Sequence, residues 1–275
     1  MLKFIVLADL HLVPKGETSH SIDTGERMEK AFEFVNTHHN DADFMVIAGD
    51  IADHGEPAAY ERFKDALGQL KIPTFLTLGN HDNRATFLKI LGAEHADETG
   101  NVNHVIDMKG HRIIILDSSD PDTGGAGRFE QSQLNWLQSK LDEAKDLPVI
   151  IVLHHNITKF HVQTDFLILQ DNAAFAKVVS SHRDIRQVIS GHVHMNVSGS
   201  YKGIPFCTVA GCHYNIEPTL QSASGPIPAR VARREGPGQI GIVLSNEDST
   251  VVHMQSFLDG NDVMAAKHFV WKPRD

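Results

Sequence analysis

Seven short stretches of the chain, residues 4–8, 44–48, 74–78, 112–116, 149–153, 187–189 and 206–209, are apolar almost without interruption. They are rich in β-branched and aromatic residues, which suits strands covered on both faces better than strands with one wet side. Between them apolar positions recur at helical spacing and predict helices over 26–37, 56–70, 84–91, 131–144 and 173–181. The second of these has Pro57 near its start and an apolar stripe through Phe63, Ala66, Leu67 and Leu70. Residues 103–107 and 112–116 flank a Lys109-Gly110 turn and predict a hairpin, as do 240–244 and 250–255 around SNEDS. Strands alternating with helices predict an α/β domain with helices on both sides of its sheets. In such domains ligands bind outside the carboxyl ends of the strands. Residues 217–238, rich in Pro, Gly, Ser and Arg, break the pattern and read as a long loop or lid before the last hairpin.

Composition narrows the class. At 275 residues with 41% hydrophobic and 22% charged positions, the chain has enough material for one large domain with a full core. No apolar run approaches the roughly 18 residues that span a bilayer, so no membrane partner is expected. The start, MLKFIVLADLHL, carries Asp9 and His11 and no small-residue cleavage site, and reads as a first strand, not a signal peptide. The expected location is cytoplasmic. A net charge of −10, with basic residues clustered only at 230–234, argues against a nucleic-acid polymer as partner. Cys207 and Cys212 are too few for a multi-cysteine metal site and read as buried spectators. Histidine is the compositional signal: there are 18.

The chemistry sits at strand ends. The first strand runs into ADLH with Asp9 and His11, the second into AGD with Asp50, and the third into GNHD with Asn80 and His81. Residues 149–153 lead into His154-His155, and the run ending at Ser190 leads into GHVH with His192 and His194. Parallel strands bring their carboxyl ends to one edge, so these residues should converge. In D-x-H and H-x-H the two side chains of an extended chain point the same way, which makes Asp9 with His11, and His192 with His194, candidate paired ligands. Carboxylate, amide oxygen and imidazole suit Mn, Fe, Zn or Co. Seven ligands exceed one tetrahedral site, whereas two ions sharing a carboxylate would use them all, an arrangement suited to phosphoryl displacement. Against the four positive charges of two divalent ions, Asp9 and Asp50 supply two negative ones. A hydroxide and a singly charged phosphodiester would balance the rest.

In this order D-x-H, GD, GNHD, HH and GHVH resemble the calcineurin-like metallophosphoesterase superfamily. Within it the chain is similar to bacterial class III cyclic nucleotide phosphodiesterases and to glycerophosphodiesterases. The resemblance implies a four-layer α/β/β/α sandwich. The chain reads as a catalytic core over 1–212 with a C-terminal appendage, a lid loop and hairpin over 213–275, that completes the same domain. It implies one metal held by Asp9, His11, Asp50 and His194, and a second held by Asp50, Asn80, His154 and His192, with Asp50 as the bridge. His81 then matches the histidine that contacts the substrate phosphate and protonates the leaving oxygen, and a bridging hydroxide is the nucleophile. GDIADHG and GNHD separate the chain from the phosphoprotein phosphatases, and Asp53, where purple acid phosphatases have a tyrosine ligand, separates it from those. His154-His155-Asn156-Ile157 departs from the HHPP of many class III enzymes.

The expected activity is hydrolysis of a small phosphodiester. The alternatives are a phosphomonoesterase, a nuclease, a nucleotide-lipid pyrophosphatase or a non-catalytic scaffold on the same fold. The reading allows for a homo-oligomer. Asp82 is expected to be structural, and His155 is the alternative to His154 as ligand. His38 and His39 read as solvated, His161 and His213 as candidate pocket residues, and Arg230, Arg233 and Arg234 as loop charge. Phe160 and Trp136 read as packing residues.

Overall fold

The computed structural model describes residues 1–220 and 231–258. Its strands are β1 (Leu2–Leu7), β2 (Phe44–Ala48), β3 (Thr74–Thr77), β4 (His104–Met108), β5 (His111–Leu116), β6 (Val149–Leu153), β7 (Ile185–Ser190), β8 (Ser198–Tyr201), β9 (Ile204–Thr208), β10 (Tyr214–Ile216), β11 (Arg233–Glu235), β12 (Gln239–Ser245) and β13 (Thr250–Ser256). The α-helices are α1 (Thr24–His38), α2 (Pro57–Leu67), α3 (Arg84–Leu91), α4 (Gln131–Glu143) and α5 (Asn172–Val179).

One sheet has the order β13-β12-β1-β2-β3 and the other β4-β5-β6-β7-β9-β8. The strands β1-β2-β3 and β5-β6-β7-β9 are parallel, and antiparallel strands close the edges. Alternation along each strand explains the layers. Leu2, Phe4 and Val6 of β1 meet Ile113 and Ile115 of β5 and Ile150 and Val152 of β6 between the sheets. Ile5 and Leu7 face outward onto Met28 and Phe32 of α1 and Phe63 of α2. On the other side Ile114, Ile151 and Leu153 pack against Leu137 of α4 and Phe175 of α5. Both faces of the central strands are therefore buried, which is why their sequences are continuously apolar. The result is the expected four-layer sandwich.

Three elements differ from expectation. Ser198–Tyr201 forms an edge strand that its polar, largely exposed sequence hides. Within the stretch read as a loop, β11 pairs antiparallel with β10. The paired ribbon is anchored by Tyr214 and Ile216, which pack with Val162, Val193 and Met195. Residues 221–230, including Arg230, lie outside the described residues. His39 is not solvated: at the end of α1 it is buried, and its Nε2 lies 2.9 Å from Gln255 Oε1 on β13. The hairpin β12-β13 joins β1 through β12, so it is part of the first sheet and not peripheral. Trp136 and Phe160 pack as expected, Phe160 stacked on Phe206. Among the described residues no helix is long and apolar enough to cross a membrane.

Candidate metal centre

The carboxyl ends of β1, β2, β3, β6 and β7 meet at one edge of the sandwich and bring their polar residues together. Asp9, His11, Asp50, His154, His192 and His194 are all buried there. Five of them hold left-handed backbone, with φ of 56° at Asp9, 47° at His11, 51° at Asp50, 71° at His192 and 51° at His194. Each such residue costs about 1–3 kcal/mol and persists only where the surroundings over-determine it. Here the anchors are the sheet ends themselves. Asp9 N donates to Gly49 O, and His11 N to Asp50 O. Gly79 is required for a related reason: a Cβ there would fall on the Asp50 carboxylate.

Asp82 locks the loops to one another. Its carboxylate accepts from the backbone N–H groups of Ile51, Ala52 and Gly79 at 2.9–3.1 Å and from the Tyr60 hydroxyl. Burial raises its pKa to about 6. Asn83 then caps α3 by accepting from Thr86 N, which ends the GNHD turn.

Each histidine ring has one nitrogen committed away from the centre. His154 Nδ1 donates to Ala48 O at 2.9 Å, His194 Nδ1 to Tyr214 O at 2.9 Å, and His192 Nε2 to Leu167 O at 3.1 Å. His11 Nδ1 donates to the Asp53 carboxylate at 2.9 Å. Because those partners only accept, the opposite nitrogens of the neutral rings carry lone pairs. They face one another: His11 Nε2 is 3.2 Å from His194 Nε2, and His192 Nδ1 is 3.1 Å from His154 Nε2. Asp50 Oδ2 lies between the two pairs, 3.5 Å from His11 Nε2 and 3.3 Å from His154 Nε2. Asn80 Oδ1 is 3.3 Å from His154 Nε2, and Asp9 Oδ1 is 3.6 Å from His194 Nε2. Nitrogen and oxygen ligand atoms from separate loops crowd together here, and such a donor set fits cations.

Titration follows the same crowding. Burial, reinforced by the nearby Asp50 charge, pushes Asp9 well up, while Asp50 stays well below the usual carboxylate range through His154 and His81 in spite of its burial. Burial pushes His192 down to about 3 and also lowers His11 and His194. For His154 burial is outweighed by Asp50, and its pKa rises to about 9.

His81 stands at the mouth with its side chain 38% exposed. Its backbone N–H donates to Asp50 Oδ1, and its Nδ1 donates to Asp53 O at 2.6 Å. Burial lowers its pKa, but Asp50 and Asp53 outweigh this and leave it raised. His155 turns aside to Ser118, with Nδ1 2.8 Å from Oγ, although its ring still borders His154 and His192. His213 is brought in: its buried ring centroid lies 4.9 Å from that of His11. His161 is not, being exposed on the loop after β6. Arg233 lies over Tyr214, while Arg234 pairs with Glu217. The cysteines are buried, with thiols raised by burial to about 11 for Cys207 and about 12 for Cys212.

Sequence reasoning missed the supports. Asp53, three positions after Asp50, was legible as an extra carboxylate but not as the partner of His11. Tyr214, stacked on His194 at 4.2 Å, and the carbonyl of Leu167 left no signal in the pattern.

Fold and site together define an α/β sandwich with clusters of candidate metal ligands at its carboxyl edge. A family model described as calcineurin-like phosphoesterase matches residues 2–196, and the chain belongs to that family. It is 30% identical over 260 residues to a probable cyclic nucleotide phosphodiesterase of Rhodopseudomonas palustris, covering 94% of this chain and 93% of that one. It is 28% identical over 217 residues to a probable glycerophosphodiester phosphodiesterase of Arcobacter nitrofigilis, with 77% and 79% covered. A dimetal phosphatase from Danio rerio shares the fold with a TM-score of 0.69 at 15% identity, over 93% of this chain and 96% of that one.

The metal-free protein should have a distinctive pH response. A raised His154 contributes stability that is complete below its unfolded pKa of 6.5 and is lost as pH climbs toward about 9. Asp9, also raised, loses its contribution in the same direction. The free energy of unfolding in EDTA should therefore fall between pH 6.5 and 9 by about 3–5 kcal/mol, and the thermal midpoint with it. With Mn²⁺ that slope should vanish, because bound metal holds these groups deprotonated. Parallel melting curves with and without metal would refute the reading.

Proposed function

We propose that the protein is a binuclear metal-dependent phosphodiesterase acting on a small diester such as a cyclic nucleotide or a glycerophosphodiester. The observation that carries the proposal is the pairing of inward-facing ring nitrogens, His11 with His194 and His154 with His192, on either side of the Asp50 carboxylate. On this reading Asp9, His11, Asp50 and His194 would hold one divalent ion, and Asp50, Asn80, His154 and His192 the other. Two such ions supply Lewis acidity, lowering the pKa of water and neutralising charge on a phosphoryl group.

The chain's own groups do the rest. Asp53, Tyr214 O, Ala48 O and Leu167 O fix the imidazole tautomers. Asp82 holds the two loops that carry Asp50 and Asn80. His81, raised and half-open to solvent, keeps a proton at the mouth and would deliver it to the leaving oxygen. Residues 1–212 would form the catalytic core, with the following segment contributing the β10-β11 ribbon and the β12-β13 hairpin to the same unit. The net charge of −10 favours a small diester over a nucleic-acid polymer.

The test is a substrate panel on protein stripped with chelator and reconstituted with Mn²⁺. The panel comprises 3′,5′-cyclic AMP, 2′,3′-cyclic AMP, glycerophosphodiesters and simple monoesters. Metal-dependent hydrolysis of at least one diester is expected. Activity confined to monoesters would move the assignment to phosphomonoesterase.

A further inference from the structure

Among the described residues few large hydrophobics are exposed, and one is aromatic: Phe166, 75% exposed, in the 3₁₀ turn Asp165–Leu167. A lone exposed apolar side chain is ordinary on a protein surface. The position of this one sets it apart. The carbonyl of the next residue, Leu167, accepts from His192 Nε2 at 3.1 Å, and the other nitrogen of that ring faces His154 in the centre. The Leu167 side chain reaches Gly125, where an added Cβ would lie 3.3 Å from Leu167 Cδ2 and 3.7 Å from Asn80 Nδ2. The turn is thus the rim of the site on the side of Asn80, His154 and His192.

The turn is also held firmly. The Asp165 carboxylate accepts from Phe160 N and His161 N, both at 2.8 Å, and Leu167 N donates to Thr164 O. Beyond it, Leu169 N donates to Asn156 O and Gln170 N to Gly127 O. An apolar ring is therefore presented to water on a fixed support.

We infer that Phe166 is the platform on which the base of a nucleotide substrate stacks, and so a specificity-determining residue that favours nucleoside-bearing diesters over aliphatic ones. The inference rests on the phosphodiesterase reading above and narrows it. Phe166 directly precedes Leu167, with Cα atoms about 3.8 Å apart, so its backbone stands beside the carbonyl that holds His192. Every base offers a flat π face, and stacking on an aromatic side chain contributes affinity without reading a particular base.

The experiment compares KM for 3′,5′-cyclic AMP and for glycerophosphoethanolamine in the metal-reconstituted enzyme, in wild type, Phe166→Ala and Phe166→Trp. In Phe166→Ala the KM for cyclic AMP should rise about tenfold relative to that for glycerophosphoethanolamine. Phe166→Trp should restore or lower it. The exposed position predicts unchanged thermal midpoints in both variants. An equal change in both KM values, or wild-type activity on the glycerol diester alone, overturns the platform. A wild type inert on both diesters fails the phosphodiesterase reading itself.

Discussion

Asp50→Asn should leave a folded protein that has lost about 10³-fold or more in turnover and at least half of its bound metal. The substitution is close to isosteric, and the amide oxygen can still accept from His81 N, as Asp50 Oδ1 does at 2.9 Å. The GNHD turn therefore keeps its support. What disappears is the single negative charge lying between His11 Nε2 and His154 Nε2. Without it two cations would face each other across a neutral amide, and the second should bind poorly. Turnover of bis(p-nitrophenyl) phosphate and elemental analysis of the purified variant read the two effects separately. Retention of wild-type turnover with full metal content would remove Asp50 from the centre of the site.

His81→Ala should behave differently. His81 carries its role on the ring, whereas its attachment to Asp50 runs through the backbone N–H, which alanine keeps. Metal content should stay near that of wild type. With 3′,5′-cyclic AMP the leaving group is an alkoxide that needs a proton, and kcat should fall about 10²–10³-fold. With bis(p-nitrophenyl) phosphate the leaving group departs without a proton, and the loss should be less than about tenfold. A general acid must be protonated to act, so wild-type kcat on cyclic AMP should decline as pH rises through the raised pKa of His81. That alkaline limb should be absent in the variant. Equal losses on both substrates would assign His81 to binding the phosphate and not to delivering the proton.

Much of this site could be read before any coordinates. Asp9, His11, Asp50, Asn80, His81, His154, His192 and His194 each follow an apolar run, and parallel strands end at a common edge. The long central strands were equally plain, since burial on both faces leaves no polar interruption. The elements that escaped notice are those in which neighbouring structure outweighs local composition. Ser198–Tyr201 is a strand because β9 pairs with it, and Arg233–Glu235 because Tyr214–Ile216 lies alongside. His39 looked solvated at a helix end, yet the final hairpin brings Gln255 to it.

By itself the sequence determined which side chains gather at the carboxyl edge, the strands that deliver them, and the alternation that stacks two sheets between helices. Period-2 and period-3.6 burial, together with polar residues after apolar runs, are local properties and are written in order along the chain. Tertiary structure alone decided which nitrogen of each imidazole faces inward, because Ala48 O, Leu167 O, Tyr214 O and the Asp53 carboxylate claim the other. Three of those partners are backbone carbonyls, identical at every residue, so no pattern of side chains could have announced them. It also decided that His213 stands beside His11 and His155 turns to Ser118, since both outcomes depend on how separate loops meet in space.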